Sequence, residues 1–139
     1  MADLGFSDLL LGFLLLITPV VYFHELGHYW VARKAGVVVE VFSIGFGPEL
    51  FGWTAKSGTR WRLSAVPLGG YVKMRGDEDP ASTPSARGLQ QSGSFGGASL
   101  FWRTAIVAAG PIANFILGIA LDRKSTRLNS SHLVISYAV

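Results

Sequence analysis

Leu9–Ala32 reads LLLGFLLLITPVVYFHELGHYWVA, and this stretch sets the solvent in which the other motifs must work. Its 24 residues would make about 36 Å of helix, enough to cross a hydrocarbon core of about 30 Å. Leu9 to Phe23 carries no charge and no amphipathic stripe, which argues against a surface helix of a soluble domain. A cleaved signal peptide is the rival reading. It is disfavoured because the preceding residues include Asp3 and Asp8 but no Lys or Arg, and no A-x-A-like site follows.

The whole chain fits that solvent. Of its 139 residues, 50% are apolar and 15% charged, against roughly a quarter charged in ordinary soluble domains. Cysteine is absent, so a metal would have to use His, carboxylates or water. A second apolar run, Thr104–Leu121, has 18 residues, or about 27 Å of helix, near the lower limit for a span. It reads as a helix cut short. Arg33 and Lys34 close the first run and Arg103 opens the second, while nothing basic precedes the first. The positive-inside tendency therefore places the 33–103 loop in the cytoplasm and the amino terminus outside. The expected location is the inner or plasma membrane, crossed more than once, with the bilayer as one partner and no nucleic-acid partner.

Between the runs the pattern becomes extended. Val37–Ile44 is rich in β-branched residues, and Thr59–Val66 alternates Arg60 and Arg62 with Trp61 and Leu63. Lys56-Ser57-Gly58 fits a hairpin turn, and the glycines of GFGPELFG and LGGYVKM mark turns or close backbone approach. The expected fold is thus a mainly α-helical membrane protein, with transmembrane helices at about 9–32 and 104–121 and a β-containing loop at 37–76. Residues 77–99, with few side chains able to bury, are expected to form a flexible linker. From Asp122 the sequence turns Ser- and Arg-rich, and 122–139 reads as a non-native tail of translated adapter sequence. His132 is accordingly not a ligand candidate.

The chemistry-bearing residues sit near the inner end of the first run. His24-Glu25-Leu26-Gly27-His28 is an H-E-x-x-H pattern, which puts two imidazoles one helical turn apart with a carboxylate beside them. His24 and His28 are the metal candidates and Glu25 the general base. Three titratable groups in an apolar run also need a polar cavity or partners, since a charge at mid-helix costs roughly 2.5–3.5 kcal/mol on insertion scales. On the second run Gly110, Asn114 and Gly118 recur every four residues and form a close-packing stripe. Asn114 falls at about the depth of His24. It either orients a ligand or substrate carbonyl, or makes an interhelical hydrogen bond with no catalytic part.

These residues resemble the site-2 proteases, intramembrane zinc metalloproteases, and most closely the bacterial regulator-of-sigma-E type. The likeness runs to Leu121 through HELGHYWVARKAG, FSIGFGPELF, PLGGYVKM and AAGPIANF, in that order. It implies Zn2+ held by His24 and His28, Glu25 as catalytic base, and cleavage of transmembrane anchors of regulatory proteins. It also implies a membrane-associated β-region near the substrate. Independently of the family, a substrate helix must unwind before hydrolysis, and an exposed strand can hold it by β-augmentation. Leu68–Met74, with Gly69, Gly70 and Tyr71, is the candidate clamp; the other reading is a hairpin that only packs on the membrane surface. The family's third zinc ligand, an aspartate in an L-D-G motif, and its PDZ domains are absent. Asp122 is followed by Arg123 and is not given that role. The segment alone is therefore expected to be inactive. A non-catalytic membrane scaffold and a metal-binding or transport protein are the alternatives.

Overall fold

The computed structural model describes residues 5–77 and 91–137, with side chains of the second helix described as far as Arg127. The elements run α1 (Phe6–Lys34), β1 (Val39–Thr54), β2 (Arg60–Met74) and α2 (Leu100–Tyr137).

Helix α1 is 29 residues long. The Asp8 carboxylate accepts a hydrogen bond from the Gly5 N–H at 3.1 Å, and Arg33 and Lys34 lie in its last turn. Acid at the start and base at the end both complement the helix dipole. At Gly36, where φ is 78°, the chain turns out of the helix through a conformation that L side chains rarely adopt.

β1 and β2 pair antiparallel around a turn in which Gly58 N–H donates to the Ala55 carbonyl at 2.9 Å. Both strands are longer than their β-branched stretches, because the glycine-rich segments continue the ladder through bulges instead of ending it. The first half of β1 has partners on two sides: Ile44 lies opposite both Gly70 and Leu63. At Gly45, with φ at 86°, an added Cβ would stand 2.8 Å from the Val66 carbonyl oxygen.

The core lies where the last turns of α1, the sheet and the first turns of α2 meet. It contains Tyr29, Ala32, Val39, Phe42, Met74 and Ile106. Phe42 stacks on Trp61 at 4.2 Å between centroids, and Tyr29 meets both edge-on. Away from this core the helices are bare: none of the most apolar 18-residue window of α1 is buried, and Phe115 on α2 is 74% exposed. Both helices are long and apolar enough to cross a membrane by length and composition.

Two expectations change. The linker assigned to 77–99 is not free over its last part: Phe95 is buried in the core, its N–H donates to the Arg75 carbonyl at 3.1 Å, and the Gly93 carbonyl accepts from Val38 N–H at 2.8 Å. One aromatic residue among polar neighbours was enough to anchor the segment, which composition averaged away. Residues 78–90 of that expected linker lie outside the described residues. The second helix is also not cut short at 121, since its backbone continues to Tyr137. Apolar character ends near Leu121, but helix propensity does not, as the following Asp, Arg, Lys and Ser residues contain no Gly or Pro.

If Phe95 is a core residue, Phe95→Ala should destabilise the fold by roughly 3–5 kcal/mol, read from detergent-solubilised chain by denaturant unfolding followed through tryptophan emission. A change under about 0.5 kcal/mol, normal for an exposed site, would mean that the segment is only a tether.

Candidate metal centre

His24 and His28 share one face of α1, their rings edge-to-face with centroids 4.8 Å apart. That face lies on α2. The contact is close because Gly27 has no side chain: a Cβ there would meet the Ala109 carbonyl oxygen and stand 2.9 Å from the Ala113 Cβ. The small residues at this crossing let the backbones touch.

Close approach brings α2 against both rings. His28 Nδ1 is 2.7 Å from the Ile106 carbonyl oxygen. A carbonyl only accepts, so Nδ1 carries the proton and the neutral ring keeps its lone pair on Nε2. Two turns further along α2, the Asn114 amide nitrogen lies 3.2 Å from His24 Nδ1. Midway between stands Gly110, and both Nε2 atoms face it. A Cβ on Gly110 would be 2.7 Å from His24 Nε2 and closer still to His28 Nε2. Two imidazole nitrogens therefore converge on the side-chain position of Gly110, which only a glycine leaves unfilled, and imidazole donors suit zinc and other borderline metals.

Glu25 points to the other neighbour of α1. Gly70 of β2 packs there: its Cβ would stand 3.0 Å from Glu25 Cγ and from Val21 Cγ1. Tyr71 stacks on Phe46 at 6.0 Å, with the Arg62 guanidinium 5.7 Å from the Tyr71 ring centre. The 70–74 segment pairs with β1 along one side. An open groove of about 770 Å³ runs past His24 on the remaining side, lined by Pro111, Asn114, Phe115, Gly118 and Ile119.

His24, Glu25, His28, Asn114 and Gly70 thus lie together, whereas Gly69 is turned towards the Phe46 ring and Tyr71 packs on Phe46 and Arg62. Asp122 lines the same groove as His24, but no group of three or more His, Cys, Asp or Glu able to hold a metal occurs among the described residues. The packing stripe is shorter than its sequence pattern: Gly118 has nothing within 4 Å. Sequence reasoning missed the Ile106 carbonyl, a main-chain group with no side-chain signal. It also gave Gly110 only a packing role.

Two imidazoles and a glutamate thus lie on one turn of α1, with a glycine of α2 facing both ring nitrogens. The chain belongs to Peptidase family M50, whose pattern it matches over residues 12–122. It is 57% identical over 115 residues to a candidate zinc metalloprotease of Rhizobium meliloti, an alignment covering 78% of this chain and 31% of that protein. A counterpart in Agrobacterium fabrum is 52% identical over 128 residues, covering 87% of this chain and 34% of that protein. Metalloprotease MmpA of Caulobacter vibrioides is 43% identical over 130 residues, covering 84% and 33%. The chain thus spans about a third of the length of the curated relatives it matches.

Proposed function

We propose that this chain is the amino-terminal part of a zinc-dependent intramembrane endopeptidase that cleaves transmembrane segments of regulatory membrane proteins. The observation that carries the reading is the convergence of His24 and His28 Nε2 on Gly110, with Glu25 on the same helical turn. Relatives named as zinc metalloproteases favour zinc as the ion. Two bare apolar helices favour a bilayer, here the inner or plasma membrane, and Arg33, Lys34 and Arg103 at their loop-side ends favour an outside amino terminus and a cytoplasmic 33–103 loop. A metal-transport protein needs ligands but no base, so Glu25 beside the pair favours hydrolysis over that alternative.

The residues fit a zinc ion in part. His24 and His28 supply two neutral nitrogen donors, and Gly110 leaves the space in front of them; a catalytic zinc takes three protein ligands. The third comes, on this reading, from the portion of the relatives that this chain does not span. Bound zinc would polarise the scissile carbonyl and bring the pKa of a water to about 7. Glu25 takes the proton of the attacking water and returns it to the leaving amine. The edge of β2 at Gly70 and Tyr71 holds an unwound substrate segment by strand pairing, beside Glu25 and within reach of the groove at His24.

Three outcomes test this. In the full-length protein carrying this segment, Glu25→Gln should keep its zinc and lose cleavage of a transmembrane substrate by about 10²- to 10⁴-fold, the usual worth of general acid–base catalysis. Near-normal cleavage would remove Glu25 as the base. The 139-residue chain, reconstituted with zinc in bilayers, should show no cleavage of that substrate; zinc- and Glu25-dependent activity would mean that a third ligand lies within it. Finally, Ser57→Cys introduces a single thiol into a cysteine-free chain at the exposed hairpin turn. It should resist an impermeant thiol reagent applied outside intact cells, and labelling without lysis would invert the orientation.

A further inference from the structure

We infer that α2 is the template that sets the metal ligands before any metal arrives, with Asn114 as a positioning residue that fixes the tautomer of His24. The inference rests on His24 and His28 being the ligands, and it assigns Asn114 to the metal centre in place of the substrate.

Both rings reach α2 through Nδ1 and face Gly110 through Nε2. For His28 the Ile106 carbonyl requires a proton on Nδ1, which frees Nε2 to bind a metal. His24 can present the same free Nε2 only if its Nδ1 also carries a proton, and that proton needs an acceptor. Among the described residues, the side chain hydrogen-bonded to His24 Nδ1 is the Asn114 amide. As placed, Asn114 turns Nδ2 to the ring, a donor facing a nitrogen that must itself donate, while its Oδ1 is buried with no hydrogen-bond partner. Rotating the amide by half a turn turns the donor–donor contact into a hydrogen bond, because Oδ1 then accepts from His24 Nδ1–H, and it moves the amide nitrogen to the buried position that the oxygen held. Ile106 and Asn114 lie two helical turns apart on the same face of α2, with Gly110 between them. One helix therefore fixes both tautomers and keeps the metal position clear, the part that outer-shell carbonyls and carboxylates play around zinc-bound histidines in general.

The test uses the 139-residue chain in detergent micelles. Nitrogen-15 NMR of the metal-free, histidine-labelled chain should find both His24 and His28 in the Nδ1–H form; His24 in the Nε2–H form would overturn the inference. Zinc affinity, measured by competition with a chromogenic chelator, should fall about 10- to 100-fold in Asn114→Ala. Asn114→Asp, which can accept from Nδ1–H but cannot donate, should restore it. If Asp behaves no better than Ala, the amide acts as a donor and the assignment is wrong. Gly110→Ala should weaken zinc by at least about 10-fold, whereas Gly118→Ala, with open space around it, should not. Unaltered affinity in Gly110→Ala would also count against the template. Should either variant misfold, the wild-type NMR result decides alone. An unchanged zinc affinity in His24→Ala would instead sink the underlying ligand assignment, a result distinct from all of these.

Discussion

The backbone contact between α1 and α2 at Gly27 is the constraint on which the rest of the site depends. In apolar surroundings such as lipid, two helices like these would associate through close packing and interhelical hydrogen bonds and not through hydrophobic drive. Gly27 supplies the first, by letting the Ala109 carbonyl and the Ala113 methyl approach its backbone. The second follows from the same approach. With the helices this close, His28 reaches a main-chain carbonyl and His24 reaches the Asn114 side chain, neither of which a wider crossing would permit. Packing and ligand orientation are thus one event. A side chain at position 27 would disturb the imidazoles without touching either.

The sheet adds a second wall. Its glycines are placed where the backbone has to come near something: Gly70 beside Glu25 and Val21 of α1, and Gly45 beside the Val66 carbonyl. Glu25 is therefore held between a helix turn and a strand, in a position where a bulkier residue at 70 would displace the carboxylate-bearing side chain. The aromatic cluster of Tyr22, Tyr29, Phe42 and Trp61 ties that strand to the last turns of α1. The sheet's place beside Glu25 is consequently set by aromatic packing that flanks the histidines, with Tyr22 two residues before His24 and Tyr29 directly after His28.

What could be read from the sequence was whatever depends on local pattern. The apolar run around His24, the H-E-x-x-H spacing and the Lys56-Ser57-Gly58 turn each carry their signal within a few residues, and each has its counterpart in the fold. The rest depended on contacts distant in the chain. Phe95 looked like part of a polar linker because nothing near it in sequence announces the pocket formed by Val39, Met74 and Ile106. The glycines after Ile44 and before Met74 marked turns or close backbone approach; the close approach is there at Gly45 and Gly70, but that the ladder runs on through bulges depends on the partner strand. Gly110 and Gly118 look identical in the pattern of α2. One faces two imidazoles and the other faces open space, a difference decided by where α1 crosses.

The arrangement also limits where a complete site can be finished. Gly110 of α2 faces the two Nε2 atoms without a side chain, and Glu25 has the sheet beside it at Gly70, so the turn is bounded by α2 on one side and by the sheet on another. The groove past His24 is open, and its walls at Phe115 and Ile119 are 74% and 61% exposed. Apolar surface of that extent, next to half-satisfied polar groups, suits burial by another helix better than contact with lipid alone, because a lipid tail cannot satisfy Asn114 or His24. A further helix on this side would bring the polar groups their remaining partners together with the apolar walls their cover.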